Sequence, residues 1–184
     1  MPSSISRALL LFTFAGGLAS AAPAVAQEEW LPPPHVRPAP EMRALFDEAT
    51  GRSPTVRGLV NWLEILDVTV YVRTQDVMPR GLLGRAALLS VNGSHRYIVI
   101  DVASQRTAIE TISTLGHELF HAIEIAREPS IVDPRTLGEF FERAGRETGD
   151  ADGRRTFETQ AAAATGTRVR RELLAWNTRH SNGT

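Results

Sequence analysis

The sequence predicts an α+β fold, in which helices pack on a small sheet. Three observations carry this prediction. Apolar residues recur at helical spacing before residue 67 and again after residue 105. Between these two stretches the chain changes to the two-residue alternation that is typical of strands. The 184 residues suffice for one domain with its own core, and we expect that domain to span residues 41–180.

The first 26 residues have the features of a secretory signal peptide. Arg7 supplies a positive charge, residues 8–19 form an apolar stretch, and residues 24–26 (AVA) match a cleavage site before Gln27. The apolar stretch is shorter than the roughly 20 residues that a membrane span requires, although an uncleaved N-terminal anchor is the alternative. We expect an exported protein, periplasmic or secreted, that has no stable membrane span after signal cleavage.

Composition limits the partners and the chemistry of the protein. The formal net charge of -1 provides no general attraction to nucleic acid, so we expect none as a partner. The sequence contains no cysteine, which excludes disulfides and thiolate metal ligands. Any metal must therefore be held by histidine and carboxylate side chains.

A linker and two helices should follow the signal peptide. Residues 27–40 are rich in proline and predict an extended linker. Residues 41–49 carry apolar side chains at helical spacing and predict a first helix. Ser53 and Pro54 match an N-cap followed by proline at the first helical position, which predicts a second helix as far as Leu66.

Three strands are predicted next. Residues 68–73 alternate and are rich in β-branched side chains. Asn92 and Gly93 separate two further apolar runs, and this dipeptide favours a type I′ turn because both residues tolerate a positive φ. We expect residues 85–102 to form an antiparallel hairpin, so that the sheet is three-stranded and largely antiparallel.

The remainder of the chain predicts three helices. Residues 105–127 carry one apolar stripe, which indicates a long helix with a buried face. Residues 137–144 predict a short helix, and a polar loop over residues 145–153 separates it from a long final helix over residues 155–178. The alanine run at residues 161–164 indicates a close contact between two helices.

An HExxH motif lies within the first of these helices, at residues 117–121 (HELFH). His117 and His121 are four residues apart, so both imidazoles lie on one helix face and can bind one zinc ion at about 2.0–2.1 Å. Glu118 points about a hundred degrees away around the helix. This direction suits a general base that acts on a metal-activated water.

The surroundings of the motif favour a metal site over two surface histidines on an amphipathic helix. Thr114, His117, His121 and Glu124 form a polar stripe along a helix that is otherwise apolar enough to be central. The motif is also in the middle of its helix, as the geometry of the two ligands requires, and the helix directly follows the predicted hairpin.

Residues 85–126, a hairpin followed by an HExxH helix, resemble the catalytic core of zincin metallopeptidases. An acidic residue on a following helix resembles the gluzincin subgroup, whose third ligand is a glutamate. The resemblance implies a zincin-like metallohydrolase domain, with the sheet packed under the HExxH helix and a C-terminal helix that supplies the third ligand. It also implies that the strand ahead of the helix, at residues 96–102, pairs with an extended peptide or protein substrate. The metzincin extension is absent, because no glycine and histidine follow His121 at the required spacing.

A catalytic zinc needs a third protein ligand and one position open to water. Among the carboxylates after His121, Glu158 is the leading candidate, because small and apolar residues surround it early in the predicted final helix. Small residues also follow the ligand glutamate in gluzincins. Glu139 and Glu142 are alternative ligands. Another interpretation is that Glu158 only stabilises the positive end of its helix.

These residues predict an exported zinc-dependent peptidase (a hydrolase) with Zn²⁺ as cofactor, in which Glu118 takes a proton from the metal-activated water. The sequence offers no evident donor for the developing oxyanion. Conceivable donors are Tyr71, His95, Tyr97, His180 and the arginines near Arg168. This gap leaves two alternatives open: a metal-binding but catalytically silent module that holds peptides, and a structural exported protein whose motif is accidental.

Overall fold

The structure is a computed structural model that describes residues 32–181. The predicted signal peptide and the first five residues of the predicted linker, residues 27–31, lie outside this range. Within it, helices and two sheets form the predicted α+β arrangement. None of the helices in the described range is long and apolar enough to cross a membrane.

The main sheet has four strands in the order β1-β2-β4-β3. β3 is antiparallel to β4, whereas β4 is parallel to β2 and β2 is parallel to β1. The prediction of three largely antiparallel strands was therefore wrong. The strands are β1 (Val36–Pro38), β2 (Val68–Gln75), β3 (Gly84–Asn92) and β4 (His95–Ala103).

The additional strand comes from the end of the proline-rich segment. Val36 is buried there, and Pro38 is tolerated because an edge strand does not need the missing N–H. A 3₁₀ turn (Pro40–Met42) and two helices, α1 (Arg43–Arg52) and α2 (Pro54–Leu63), then lead the chain to β2. A helical crossover of this kind joins strands that run parallel.

β3 and β4 form the predicted antiparallel hairpin, with Gly84 opposite Val102 and Asn92 opposite His95. The turn between them lies one residue later than predicted, at Gly93 and Ser94. Of these two residues only Gly93 has a positive φ, of 60°, which is the pattern of a type II′ turn and not of type I′.

The main helix, α3 (Ala108–Arg127), packs against β3 and β4. Its start is set by a capping box, in which the Thr107 hydroxyl accepts from the Glu110 N–H and the Glu110 carboxylate accepts from the Thr107 N–H. Its apolar stripe is buried in the core. The HExxH motif therefore lies in the middle of a helix that is fixed at its end and along one face.

Two helices and a second sheet follow α3: α4 (Pro134–Ala144), β5 (Arg146–Ala151), β6 (Arg154–Glu158) and α5 (Gln160–Ser181). The prediction of a polar loop over residues 145–153 and of a helix that starts at residue 155 was wrong, because these residues form the two strands. Asp152 and Gly153 have φ values of 55° and 81°, which is a type I′ turn, and they join β5 to β6. The final helix begins only after Thr159, whose hydroxyl accepts from the Ala162 N–H. Glu158 consequently ends a strand instead of starting a helix.

α3 and α5 approach each other closely, as the small residues near the start of α5 indicated. A Cβ atom added to Gly116 would lie 2.7 Å from Cγ2 of Val169, and one added to Gly166 would lie 3.2 Å from the carbonyl oxygen of Ser113. Ala162 is fully buried in the same region. This contact brings the start of α5 beside the HExxH motif.

A buried carboxylate joins three strands of the sheet. Asp101 on β4 has no exposed surface, and it accepts hydrogen bonds from Arg73 on β2 at 2.6 Å and from Arg85 on β3 at 2.7 Å. Burial by itself would raise the pKa of Asp101. The hydrogen bonds from the two guanidinium groups outweigh this effect, and the pKa is lowered.

At neutral pH we expect Asp101→Asn to lower the free energy of unfolding by about 1.5–3 kcal/mol, the range for hydrogen bonds to a charged group. A lowered folded pKa means that this stabilisation is complete above the unfolded pKa of about 3.9 and is lost as the pH falls through the folded pKa. In urea unfolding, the difference between parent and variant should shrink as the pH is lowered below about 4. A difference that stays constant would contradict this role for Asp101.

Candidate metal centre

His117 and His121 lie on successive turns of α3 and border the same cleft. Their ring centroids are 4.7 Å apart, and the ring planes make an angle of 72°. The side chain of His121 is 8% exposed and that of His117 is 21% exposed. The two imidazoles are therefore adjacent and largely buried, and both line the cleft.

Glu158 reaches this pair from the end of β6. Its Oε1 atom lies 3.5 Å from Nδ1 of His117. The structure thus brings all three predicted ligands into one place, although Glu158 comes from a strand and not from a helix. Among the described residues, however, no three histidine or acidic side chains converge on a preformed metal position. Nδ1 of His117, and not Nε2, faces Glu158, so the two Nε2 atoms and the carboxylate do not meet at one point.

Glu124 and Phe141 also contact the ring of His121. Its Nδ1 atom lies 2.7 Å from Oε2 of Glu124, and the ring of Phe141 packs edge-on at 4.9 Å between centroids. A carboxylate oxygen accepts, so Nδ1 of His121 is the donor, and in the neutral imidazole the lone pair then lies on Nε2. Nε2 is therefore the nitrogen that is available to a metal ion.

Glu118 is buried under the start of β3. Its carboxylate accepts a hydrogen bond from the backbone N–H of Ala86. The pKa of Glu118 is raised to about 7, mainly by burial and slightly by the Glu158 carboxylate, against the lowering effects of His121 and the Ala86 N–H. A carboxyl group with a pKa near neutrality can both accept and return a proton.

The approach of β3 to Glu118 depends on a glycine. A Cβ atom added to Gly84 would lie 2.8 Å from Oε1 of Glu118 and 2.5 Å from Cγ2 of Thr114. Any other residue at this position would push the strand away from α3. Gly84 therefore allows the edge of the sheet to cover the carboxylate, which is the main cause of its raised pKa.

His117 is neutral at physiological pH. Burial, with a smaller contribution from His121, lowers the pKa of His117 to about 4. A neutral imidazole is the form that binds a metal ion. The electrostatics of the site therefore favour the ligand form of this histidine.

The cleft beside these residues has a volume of about 1010 Å³. Its walls are formed by α3, by α5, by the hairpin of β5 and β6, and by the first three residues of β3. Its apolar surface comes from Leu82, Leu83, Phe141 and Phe157. Arg170 of α5 also lines it.

The alternative ligands Glu139 and Glu142 do not line this cleft. Glu139 pairs with Arg135 one helical turn away, and Glu142 pairs with Arg155 of β6. Both carboxylates therefore have cationic partners at the surface of α4, and the geometry favours Glu158 over them.

Most of the conceivable oxyanion donors lie elsewhere. None of Tyr71, His95, Tyr97 and His180 lines the cleft. The ring of His95, for example, bridges Asp67 and Thr69 at 2.5 and 2.9 Å, and His180 stacks on Trp176 near the end of α5. Arg170 is one of the candidate arginines near Arg168, and it lines the cleft from α5. It lies four residues after Gly166 on the face that approaches α3, a spacing that is visible in the sequence.

The strand that was expected to pair with a substrate cannot do so. β4 lies between β2 and β3 and has hydrogen-bonded neighbours on both sides. β3 is the edge strand instead, and its residues Gly84, Arg85 and Ala86 line the cleft. The prediction that residues 96–102 bind substrate was therefore wrong, because the register of the hairpin does not reveal which of its strands is at the edge.

Comparisons of this chain with protein-family models, with curated proteins and with solved structures found no match. The chemistry of the site must therefore be derived from its own side chains.

Proposed function

We propose that this protein is an exported zinc-dependent peptidase, in which His117, His121 and Glu158 bind the metal and Glu118 is the general base. The observation that carries the proposal is the meeting of these four side chains from two separate elements at one cleft. Metal-assisted hydrolysis requires ligands and a base, and this cleft offers both. The ligands are two imidazoles one helical turn apart and a carboxylate within 3.5 Å of the first imidazole, and the base is the buried carboxyl group of Glu118.

The donors fit zinc. Two neutral imidazoles and one carboxylate form a common protein ligand set of catalytic zinc. The low pKa of His117 keeps that imidazole neutral, and the hydrogen bond to Glu124 directs the Nδ1 side of His121 away from the metal position. Oxygen and nitrogen ligands without thiolates also suit other divalent ions, so metal identity needs a direct measurement.

Zinc held by these residues would polarise the scissile carbonyl and acidify water at the site. Glu118 takes the proton from the attacking water and then returns it to the amine nitrogen that leaves. Its burial under β3 supports both steps, because a pKa near 7 lets the same carboxyl group act as base and as acid. Arg170 is the cationic side chain from α5 at the cleft that can attract the carboxyl groups of a substrate.

An extended peptide is the substrate that fits the cleft. β3 has one neighbour in the sheet, so its other side can form backbone hydrogen bonds with an added strand. The apolar side chains of Leu82, Leu83, Phe141 and Phe157 offer contact surface to apolar side chains of such a peptide.

A metal-binding but catalytically silent peptide module is the second candidate. Two observations favour it: the tyrosine and histidine side chains considered as oxyanion donors lie outside the cleft, and the ligands are not preformed. Such a module would bind the same metal and the same peptides without cleaving them.

The deciding experiment combines metal analysis with a peptidase assay on purified protein that begins at residue 27. We expect about one zinc per chain and cleavage of extended peptides with apolar side chains, both lost on chelation and restored by zinc. Protein that takes up no zinc would refute the proposal. Zinc-loaded protein that binds peptides from a library but cleaves none would establish the silent module.

A further inference from the structure

We propose that Glu124 is a positioning residue, which sets the tautomer and orientation of His121 for metal binding. This inference rests on the proposed function. It assigns a role to a carboxylate that the motif does not include, three residues after its second histidine.

The contact between the two side chains is close and sheltered. Oε2 of Glu124 lies 2.7 Å from Nδ1 of His121, and the side chain of Glu124 is 17% exposed. In the described part of the chain, the Glu124 carboxylate accepts a hydrogen bond from His121 alone. The three-residue spacing on α3 brings these side chains together without a distortion of the helix.

Glu124 lies on the far side of His121 from the cleft. It lines a second, smaller groove with Trp62, Phe120 and Arg127, and it is not among the residues that line the main cleft. This placement separates it from Glu118 and Glu158, which do line the main cleft. Glu124 is therefore placed to act through His121 and not on a substrate.

The chemical consequence concerns the two nitrogens of the ring. An imidazole without a partner can carry its proton on either nitrogen, and only one tautomer leaves Nε2 free. The acceptor at Nδ1 selects that tautomer, and edge-on contacts with Phe141 and His117 fix the plane of the ring. Nε2 is then directed away from Glu124 before a metal arrives.

His117 provides an internal contrast. The partner of its Nδ1 atom is Glu158, at 3.5 Å, which is itself a proposed ligand. His117 therefore has no separate acceptor of the kind that Glu124 supplies to His121. We expect the effect of Glu124 to be confined to His121.

Zinc affinity is the first test, measured on the mature protein by competition with a chromophoric chelator. Glu124→Ala should weaken zinc binding about 10- to 100-fold, the range for loss of such a partner. Glu124→Gln should restore most of the affinity, because its amide oxygen still accepts from Nδ1–H. Glu139→Gln is the matched control, since Glu139 also pairs within one helix but lies outside the cleft, and its affinity should equal that of the parent.

The second test is independent of metal and activity. Nitrogen NMR of the metal-free protein should show His121 as the Nδ1–H tautomer in the parent and in Glu124→Gln, and as a mixture in Glu124→Ala. An unchanged tautomer in Glu124→Ala, an unchanged zinc affinity, or equal losses in Glu124→Ala and Glu124→Gln would each overturn the positioning role. If the parent itself bound no zinc, the proposed function would fail, whereas the tautomer would still decide whether Glu124 orients this ring.

Discussion

Glu118→Gln is expected to lower kcat/KM for peptide hydrolysis by about 10²- to 10⁴-fold while zinc remains bound, the range for loss of a general base. The amide has nearly the same shape as the carboxylate and can still accept from the Ala86 N–H, but it cannot take a proton from water. The fold should persist, because the substitution removes a buried ionisable group and does not leave a cavity. Zinc content and hydrolysis of a quenched fluorescent peptide should be measured on the same preparation.

Glu110→Gln is a suitable control for this experiment. Glu110 lies on the same helix and also lines the cleft, but its carboxylate caps the start of α3 through Thr107. We expect this control to keep its zinc and most of its activity. Parent-like hydrolysis by Glu118→Gln would show that the base is another residue. Loss of zinc together with activity would make Glu118 a ligand.

The helices could be predicted because their signals are local. Ser53 caps α2 and Thr107 caps α3, each through a side chain that stands directly before an apolar period. The hairpin of β3 and β4 was predicted for the same reason, from a turn dipeptide between two apolar runs. Even there the exact turn depended on pairing, which moved it by one residue to Gly93 and Ser94.

The order of the strands could not be obtained in this way, because pairing between β1 and β2, and between β2 and β4, joins residues that are far apart in the chain. The hairpin of β5 and β6 is different. Asp152-Gly153 is as strong a turn signal as Asn92-Gly93, and the polar residues around it concealed the strands. The first five residues of β5 are exposed, and the apolar alternation that usually marks a strand is absent from this strand.

The residues of the candidate site could likewise be predicted only where they lie close together in the sequence. His117, Glu118 and His121 follow from one helical turn of sequence, whereas Glu158 required a choice among distant carboxylates. The partners that tune these residues depend on tertiary contacts: Gly84 and Ala86 cover Glu118 only because β3 is the edge strand beside α3. The substrate strand was assigned wrongly for the same reason, since that assignment required the strand order.

His117→Ala and His121→Ala should each weaken zinc binding by at least about 100-fold. The free energy of zinc binding to four-ligand structural sites in peptides is about 10–16 kcal/mol. One ligand therefore contributes on the order of 3 kcal/mol, which is about two powers of ten in the dissociation constant. Glu158→Ala should have an effect of the same order. All three variants should fold, because each shortened side chain lies at the cleft and not in the apolar core.

Thermal unfolding in the presence of zinc measures this effect without any assay of activity. Zinc at about 100 times its dissociation constant stabilises the folded parent by about 2.7 kcal/mol, which should appear as a raised Tm. The three ligand variants should show no such rise at the same zinc concentration, whereas Glu142→Gln, which removes the charge of a rejected ligand candidate, should respond like the parent. If Glu158→Ala keeps the full rise while the histidine variants lose it, the third ligand is another group. If Glu142→Gln loses the rise and Glu158→Ala keeps it, the ligand comes from α4, and the contact between His117 and Glu158 has no part in metal binding.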